Sequence, residues 1–334
     1  MEKMVIGIDI SMKDFYVCLK IRDKSGKVKI KGSRKFKNNE AGFKELLYWI
    51  ERKEKNTAPQ IVMEATGVYH ENLAAFLYKK DVFVSVVLAN KIKNYIKSLN
   101  VKTKTDKADA KAIAEFGIER SLVQWEPVSP EYRPLRDMCR ELLSQKKDKQ
   151  RAKSQLHAIK NSHQKIEDII ELKEKQIELI ETAIMTLTES IHEVVNEDET
   201  LKRKIGKLET IPGLRFITAI ILVCETNGFK LFKNIRQVVS YAGLDVSFHQ
   251  SGKHQGKTHI SKKGNSRIRQ ALYMPALAAV QYNEPIKHLH ERICQRNPKA
   301  KQKGVVAAMR KLLILSYVLW KKDEEFDENY QWSA

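Results

Sequence analysis

Along the first 120 residues, apolar and polar positions fall into short blocks that predict strands and helices in turn. VIGIDI (5–10) and DFYVCLKI (14–21) are β-rich runs parted by the turn SMK, and KVKIKGSRKF (27–36) opens with polar–apolar alternation and reads as a third strand. Asn39 is placed to cap a helix from Glu40, with Phe43, Leu46, Leu47 and Ile50 on one face. PQIVMEA (59–65) reads as a fourth strand, 69–80 as a helix and VFVSVVLA (82–89) as a fifth strand. A basic stretch, KIKNYIKSLNVKTK, leads to a further helix over 106–120. Three strands in a meander, then helix, strand, helix, strand, helix, is the order of an α/β ribonuclease-H-like domain. Other α/β domains share parts of that order.

A different period follows. Residues 135–205 hold neither Gly nor Pro, and Leu156, Ile159, His163, Ile166, Ile170, Lys173, Ile177, Ile180, Ile184, Leu187, Ile191 and Val194 recur at alternating steps of three and four. This heptad seam predicts a long coiled-coil helix, on the order of 90 Å, through which copies of the chain associate as a homo-oligomer, with His163 and Lys173 setting register. The alternative is an antiparallel pair of helices within one chain. Beyond it, TIPGL (210–214) lies between two apolar helical runs. It suggests either a helix-hairpin-helix whose backbone N–H groups face phosphate or an ordinary turn broken at Gly213. Pro275 is expected to kink or restart a helix, 304–322 to form an amphipathic closing helix, and the acidic tail from Asp323 to fray. The divisions expected are an α/β domain at 1–125, the coiled-coil region at 126–200 and a mainly α domain at 201–325.

Charge changes this picture from architecture to partner. The 334 residues carry 61 Lys and Arg against 41 Asp and Glu, a net of +20, and 201–310 alone carry 21 against 5. Such an excess suits a polyanion, since each neutralised phosphate releases counterions. Tyr95, Phe216, Phe229, Phe232 and Phe248 lie near basic residues and are candidates to stack on bases, although such spacing equally suits a core. With 42% apolar residues the chain is not a disordered tail, and no apolar run approaches the roughly 18–20 residues of a membrane helix. The four cysteines lie far apart with no CxxC pair, and the N-terminus lacks a signal-peptide layout. Both fit a reducing cytoplasm.

Candidate chemistry rests on carboxylates. Asp9 stands in the strand GIDIS, Glu64 follows the apolar run IVM, and Asp106 and Asp109 are three apart on one face of a predicted helix start. Hard oxygen donors of this kind suit Mg²⁺ or Mn²⁺, and carboxylates around two metals can serve phosphodiester chemistry. Taken singly, Asp9 could be a turn former and Asp106 a helix cap.

GIDIS with Asp9, MEATGVY with Glu64 and KTDKADA with Asp106 and Asp109 resemble the DEDD insertion-sequence transposases, the RuvC-like recombinases of insertion sequence families 110 and 1111. ETIPGL, SYAGLDV and HQSGKHQGKTHISKKGNSRIRQALYMPA extend the likeness over nearly the whole chain, with Ile268-Arg269 where related sequences often carry Leu-Arg. The resemblance implies a RuvC-like catalytic domain, a coiled coil and a C-terminal transposase domain. It implies that Asp9, Glu64, Asp106 and Asp109 hold divalent metal, and that Ser251, in the Ser-Gly pair after the AGL motif, is the nucleophile. A serine flanked by Gly252, Lys253 and His254 is physically suited to attack phosphorus, though Ser-Gly is also a common turn; Ser247 and Ser261 are its neighbours and rivals. The implied partners are double-stranded DNA at the ends of a mobile element and at a target, and a structured guide non-coding RNA. The implied setting is a prokaryotic cytoplasm, in association with the nucleoid. Two other readings remain: a metal-dependent junction resolvase or nuclease that uses water, and a non-enzymatic architectural protein with no use for the carboxylates.

Overall fold

The computed structural model describes residues 2–53, 58–100, 104–248, 250–252, 254–256 and 258–328. The chain divides into two compact units, 1–127 and 128–334. Among the described residues, no helix is long and apolar enough to cross a membrane.

The first unit is built on five strands, β1 (Lys3–Ile10), β2 (Asp14–Arg22), β3 (Val28–Lys37), β4 (Pro59–Glu64) and β5 (Phe83–Val87), in the order β3-β2-β1-β4-β5. The β1–β2 and β2–β3 pairs are antiparallel, while β1–β4 and β4–β5 are parallel. Central strand β1 is buried on both faces, so its apolar run is almost continuous. Edge strand β3 is mostly exposed and carries Lys29, Lys31, Arg34, Lys35 and Lys37, charges that discourage edge-to-edge pairing. One sheet face packs Ile6, Ile8, Phe15 and Met63 against α1 (Glu40–Lys53) and α2 (Glu71–Tyr78). Asn39 caps α1 as expected, its Oδ1 accepting from Gly42 N at 3.0 Å. The other face receives α4 (Asp106–Glu119), beside α3 (Ala89–Ser98), which forms where the sequence shows only a basic stretch. Val101, Lys102 and Thr103 of that stretch lie outside the described residues.

The second unit is helical, and the expected continuous helix is not present. Residues 133–197 form two antiparallel helices, α5 (Arg133–Lys160) and α6 (Glu167–Glu197), joined through 161–166. The helix stops because local side chains capture its last carbonyls. Asn161 Nδ2 donates to His157 O at 2.8 Å, and Ser162 Oγ donates to Ile159 O at 2.8 Å. The apolar seam is then satisfied inside the chain, with Ile177 and Ile180 packing on Ala152 and, nearer the base, Ile191 and Val195 joining the main core. Antiparallel register is tied by Lys160–Glu174 at 2.6 Å and Lys149–Glu181 at 2.9 Å. His163 falls in the connection rather than the seam, and Lys173 bonds Gln155 across the pair at 3.0 Å. The segment 126–200 therefore does not stand apart. From residue 128 it belongs to the second unit.

The rest of that unit is α7 (Glu199–Glu209), α8 (Phe216–Glu225), α9 (Ile235–Ala242), α10 (Ser266–Tyr282), α11 (Glu284–Arg296) and α12 (Gln302–Lys322). Helix α10 runs unbroken through Pro275. In the TIPGL turn, Gly213 has φ +95°, and a Cβ there would lie 2.6 Å from Ala279 N of α10, so only glycine fits. The acidic tail does not fray at its start. Asp323 pairs with Arg203 at 2.7 Å, and Phe326 packs on the core.

Candidate active site

Asp9 and Glu64 share a sheet face because both lie an even number of residues from partners that touch α4. Val5 and Gly7 precede Asp9 on β1, and Val62 precedes Glu64 on β4. The parallel register, Gly7 with Val62 and Ile8 with Met63, brings the two carboxylates to the same ends of neighbouring strands. Helix α4 runs antiparallel to β1, with Ala110 and Ala114 over Gly7 and Gly117 over Val5. Its first turn therefore reaches the Asp9 end of the sheet, carrying Asp106 and Asp109. The approach depends on absent side chains. A Cβ on Gly7 would fall within van der Waals radius of Ala114 N and Ala110 O, both backbone atoms. Gly7→Ala is expected to cost about 3 kcal/mol or more and to lift α4 from the sheet. A thermal melt followed by circular dichroism checks this, and an unchanged midpoint would contradict it.

The electrostatics of these carboxyls are shared. Burial, then repulsion from Asp109, Asp106 and Glu64, pushes Asp9 up to about 6. Burial and Asp109 raise Glu64, against a hydrogen bond from the Thr66 hydroxyl. Asp109 is also raised, by burial and by Asp106. Lys104 opposes the rise in all three, and neither it nor Thr66 stands out in the sequence. Asp106 is exposed and does not cap α4. Thr105 does, its hydroxyl accepting from Ala108 N at 3.2 Å. Among the described residues, no three His, Cys, Asp or Glu side chains are gathered closely enough to enclose a metal ion. The carboxyls thus feel one another's charge without forming a closed ligand cage.

Ser251 lies in the second unit, on an arm of four two-residue strands too short to leave a period in the sequence. The base of the arm is β6 (Val246–Ser247) with β9 (His259–Ile260), and its tip is β7 (Gln250–Ser251) with β8 (His254–Gln255). Ser251 is exposed and pairs with His254 through the backbone; Gly252 follows at φ +54°, the conformation the tip requires. Lys253, expected beside the serine, lies outside the described residues. Rival Ser261 is engaged, its Oγ donating to Asp245 Oδ1 at 2.6 Å, and Asn265 rather than Ser261 caps α10. Of the aromatic candidates, Tyr95, Phe229 and Phe232 are core and Phe216 stacks on His192. Phe248, on the arm, is 67% exposed.

The arm is anchored by a buried carboxylate that the apolar run ILVCET conceals. Glu225, with a side chain only 1% exposed, accepts from Arg140 Nε at 2.6 Å and Nη2 at 2.9 Å, and from Asn265 Nδ2 at 2.7 Å. Tyr241 donates its hydroxyl to the Glu225 carbonyl at 3.0 Å, and Asn265 N donates to Tyr241 O at 2.7 Å. Burial alone would raise this carboxyl, but the Arg140 hydrogen bonds and charge hold it below its usual range. Its stabilising effect is therefore present above the ordinary carboxylate range and is lost as pH falls. Glu225→Ala is expected to cost about 3–5 kcal/mol, because Arg140 loses its buried partner. Urea denaturation checks it, and a loss below about 1 kcal/mol would contradict this role.

Comparisons with known proteins follow the two units. Residues 6–163 match a family model for DEDD transposases of the IS110 type, described as Transposase. Residues 206–291 match the model described as Transposase IS116/IS110/IS902 family. Two relatives named pilin gene-inverting protein, from Moraxella bovis and Moraxella lacunata, are each 30% identical over 331 residues, 98% of this chain and 99% of theirs.

Proposed function

The chain belongs to the IS110-type DEDD transposase family, and on that premise we propose that it cuts double-stranded DNA at mobile-element ends and at a target and exchanges the strands by serine chemistry. The relatives' name speaks of inverting a pilin gene. What is carried over is the chemistry of such a rearrangement, paired breakage and rejoining. The strand order β3-β2-β1-β4-β5, antiparallel then parallel, supports a ribonuclease-H-like, RuvC-like first unit. The observation that carries the reading is the meeting of Asp9 and Glu64 with the first turn of α4, where carboxyls are held above their ordinary values by burial and by one another.

The donor set fits Mg²⁺ or Mn²⁺ in chemistry: all oxygen, hard, and strained by like charge that a dication would relieve. Asp9, Glu64, Asp106 and Asp109 would hold it. When bound, such an ion supplies Lewis-acid stabilisation of charge at a phosphodiester. Ser251 Oγ attacks phosphorus, an Oγ–P bond forms, and the P–O bond to the leaving deoxyribose oxygen breaks, giving a phosphoserine link and a free hydroxyl end. A hydroxyl end from the second duplex reverses the step and releases the serine. Glu225, Arg140 and Asn265 hold the arm that carries the serine. A structured RNA from the element would choose the sites by base pairing while the protein reads backbone and shape, a role the net +20 supports. Exposed Leu172 and Leu179 on α6, at 65% and 71%, support association of copies of the chain. The setting inferred is the prokaryotic cytoplasm.

The test is recombination of a plasmid carrying two element–target sites in cells that supply the element's RNA, with that RNA recovered on purified protein and sequenced. Recombinants together with one enriched RNA are expected. Recombination that persists without any co-purifying RNA would overturn guidance. Absence of recombinants with RNA bound would overturn the recombinase reading in favour of an architectural protein.

A further inference from the structure

The tail that sequence reasoning leaves loose lies along the most basic part of the molecule. Residues 201–322 carry 24 Lys and Arg against five Asp and Glu, a net of +19, while the six residues 323–328, DEEFDE, hold five acids. On α7, Arg203 and Lys207 are four apart, and Thr210 follows three later, so the three form one stripe about 10 Å long. The tail runs beside this stripe in the same direction. Asp323 carboxylate oxygens lie 2.7 Å from Arg203 Nη1 and 3.2 Å from Lys207 Nζ. Lys207 also donates to the Asp323 carbonyl, and Phe326 N donates to Thr210 Oγ1 at 2.8 Å. Beyond it, Asp327 and Glu328 line a groove with Arg292 and Lys311. The two oxygens of one carboxylate thus bridge two cations as a phosphate's oxygens would, and the backbone that follows it reaches Thr210 at the stripe's end.

We propose that the Arg203–Lys207–Thr210 stripe is a binding surface for the phosphate backbone of duplex DNA, and that the acidic segment Asp323–Glu328 is its resident occupant in the free protein. The occupant is built to leave. Its ion pairs are partly exposed, a setting in which water screens the attraction and a pair adds little stability, and its one apolar anchor is Phe326. DNA offers a charge every ~1.7 Å of helix axis and gains by counterion release, so it outcompetes a single short peptide strand. The tail then sets a threshold against weak, non-specific DNA while admitting a duplex held by other contacts. The proposal needs DNA binding but neither the serine nor a metal.

The test uses the full chain and a labelled duplex of random sequence. Neutralising the tail (Asp323→Asn, Glu324→Gln, Glu325→Gln, Asp327→Asn, Glu328→Gln) should tighten binding about tenfold at physiological salt and steepen the salt dependence by one to two phosphates' worth. Phe326→Ala alone should give part of that gain. Adding Arg203→Gln and Lys207→Gln to the neutral tail should return affinity to the wild-type value or below. Neutralising five exposed acids on α6 (Glu167, Asp168, Glu171, Glu178, Glu189) should change affinity less than twofold. Three results would overturn the proposal: no gain from the neutral tail, a gain that survives Arg203→Gln with Lys207→Gln, or an equal gain from the α6 set, which would mean bulk charge. A gain seen with hairpin RNA but not with duplex DNA would overturn the choice of DNA.

Discussion

Asp9→Asn is expected to abolish strand cleavage, by a hundredfold or more, the order seen when one preorganised electrostatic group leaves a reacting site, and at the same time to stabilise the cation-free protein at neutral pH. The second effect follows from the first unit's crowding. Folding raises this carboxyl from the ordinary 3.8 to about 6, so the folded state holds the proton more tightly than the unfolded chain does. Stability of the cation-free protein therefore falls as pH rises from about 4 to about 6, and the deficit is complete above that window. An amide keeps the shape and removes the charge. Mg²⁺ should raise the thermal midpoint of the wild type and raise that of Asp9→Asn much less. Glu64→Ala, Asp106→Ala and Asp109→Ala should likewise lose cleavage and keep the fold. Thermal melts across pH, with and without Mg²⁺, check the first part. Equal midpoints and equal Mg²⁺ responses in wild type and Asp9→Asn would contradict it, and normal recombination by any two of the four carboxylate variants would sink the four-carboxylate site.

Ser251→Ala should be equally severe for chemistry and nearly silent for everything else. The hydroxyl is uncharged and exposed at the tip of a two-residue hairpin, so its loss leaves the arm, its Glu225 anchor and the basic surface intact. DNA affinity and thermal midpoint should stay at wild-type values while cleavage disappears. Ser251→Cys should keep a small fraction of activity, since a thiolate is nucleophilic but poorly matched to hard cations. Ser261→Ala should behave differently, because its hydroxyl ties Asp245 to the base of the arm and its loss should cost stability before chemistry. A variant series in which Ser261→Ala alone loses cleavage would move the nucleophile there.

The first unit was legible because each strand is an apolar run bounded by polar turns, and because burial on both faces leaves β1 nearly free of polar residues. Helix α3 was not, since Ile92 and Tyr95 are its only buried side chains and lysines hide them. The α5–α6 seam was read correctly as a buried stripe and wrongly as one helix. Its three-four spacing stays in phase across 161–166, and the break comes from Asn161 and Ser162 side chains rather than from Gly or Pro. The tail was misread because acidity suggests solvent unless the opposite charge is known to lie beside it. At the site, three motifs exposed the carboxylates as candidates. Lys104 acts through space on carboxyls far away in sequence, and Glu225 looks like the end of an apolar helix, so neither left a local signal.

The most direct test of the central claim, that Ser251 and the Asp9 carboxylate cluster serve one strand-exchange reaction, is trapping of the covalent complex. A labelled duplex nicked beside the cleavage position loses its short fragment after attack and leaves the adduct unable to reverse. Incubated with Mg²⁺ and the element's RNA, the wild type should give a protein–DNA band on a denaturing gel, and mass spectrometry of its digest should place the nucleotide on the peptide containing Ser251. Asp9→Asn and Ser251→Ala should give no band while binding the duplex normally. Cleaved DNA with no adduct, produced equally by wild type and Ser251→Ala, would contradict the account and assign the attack to water.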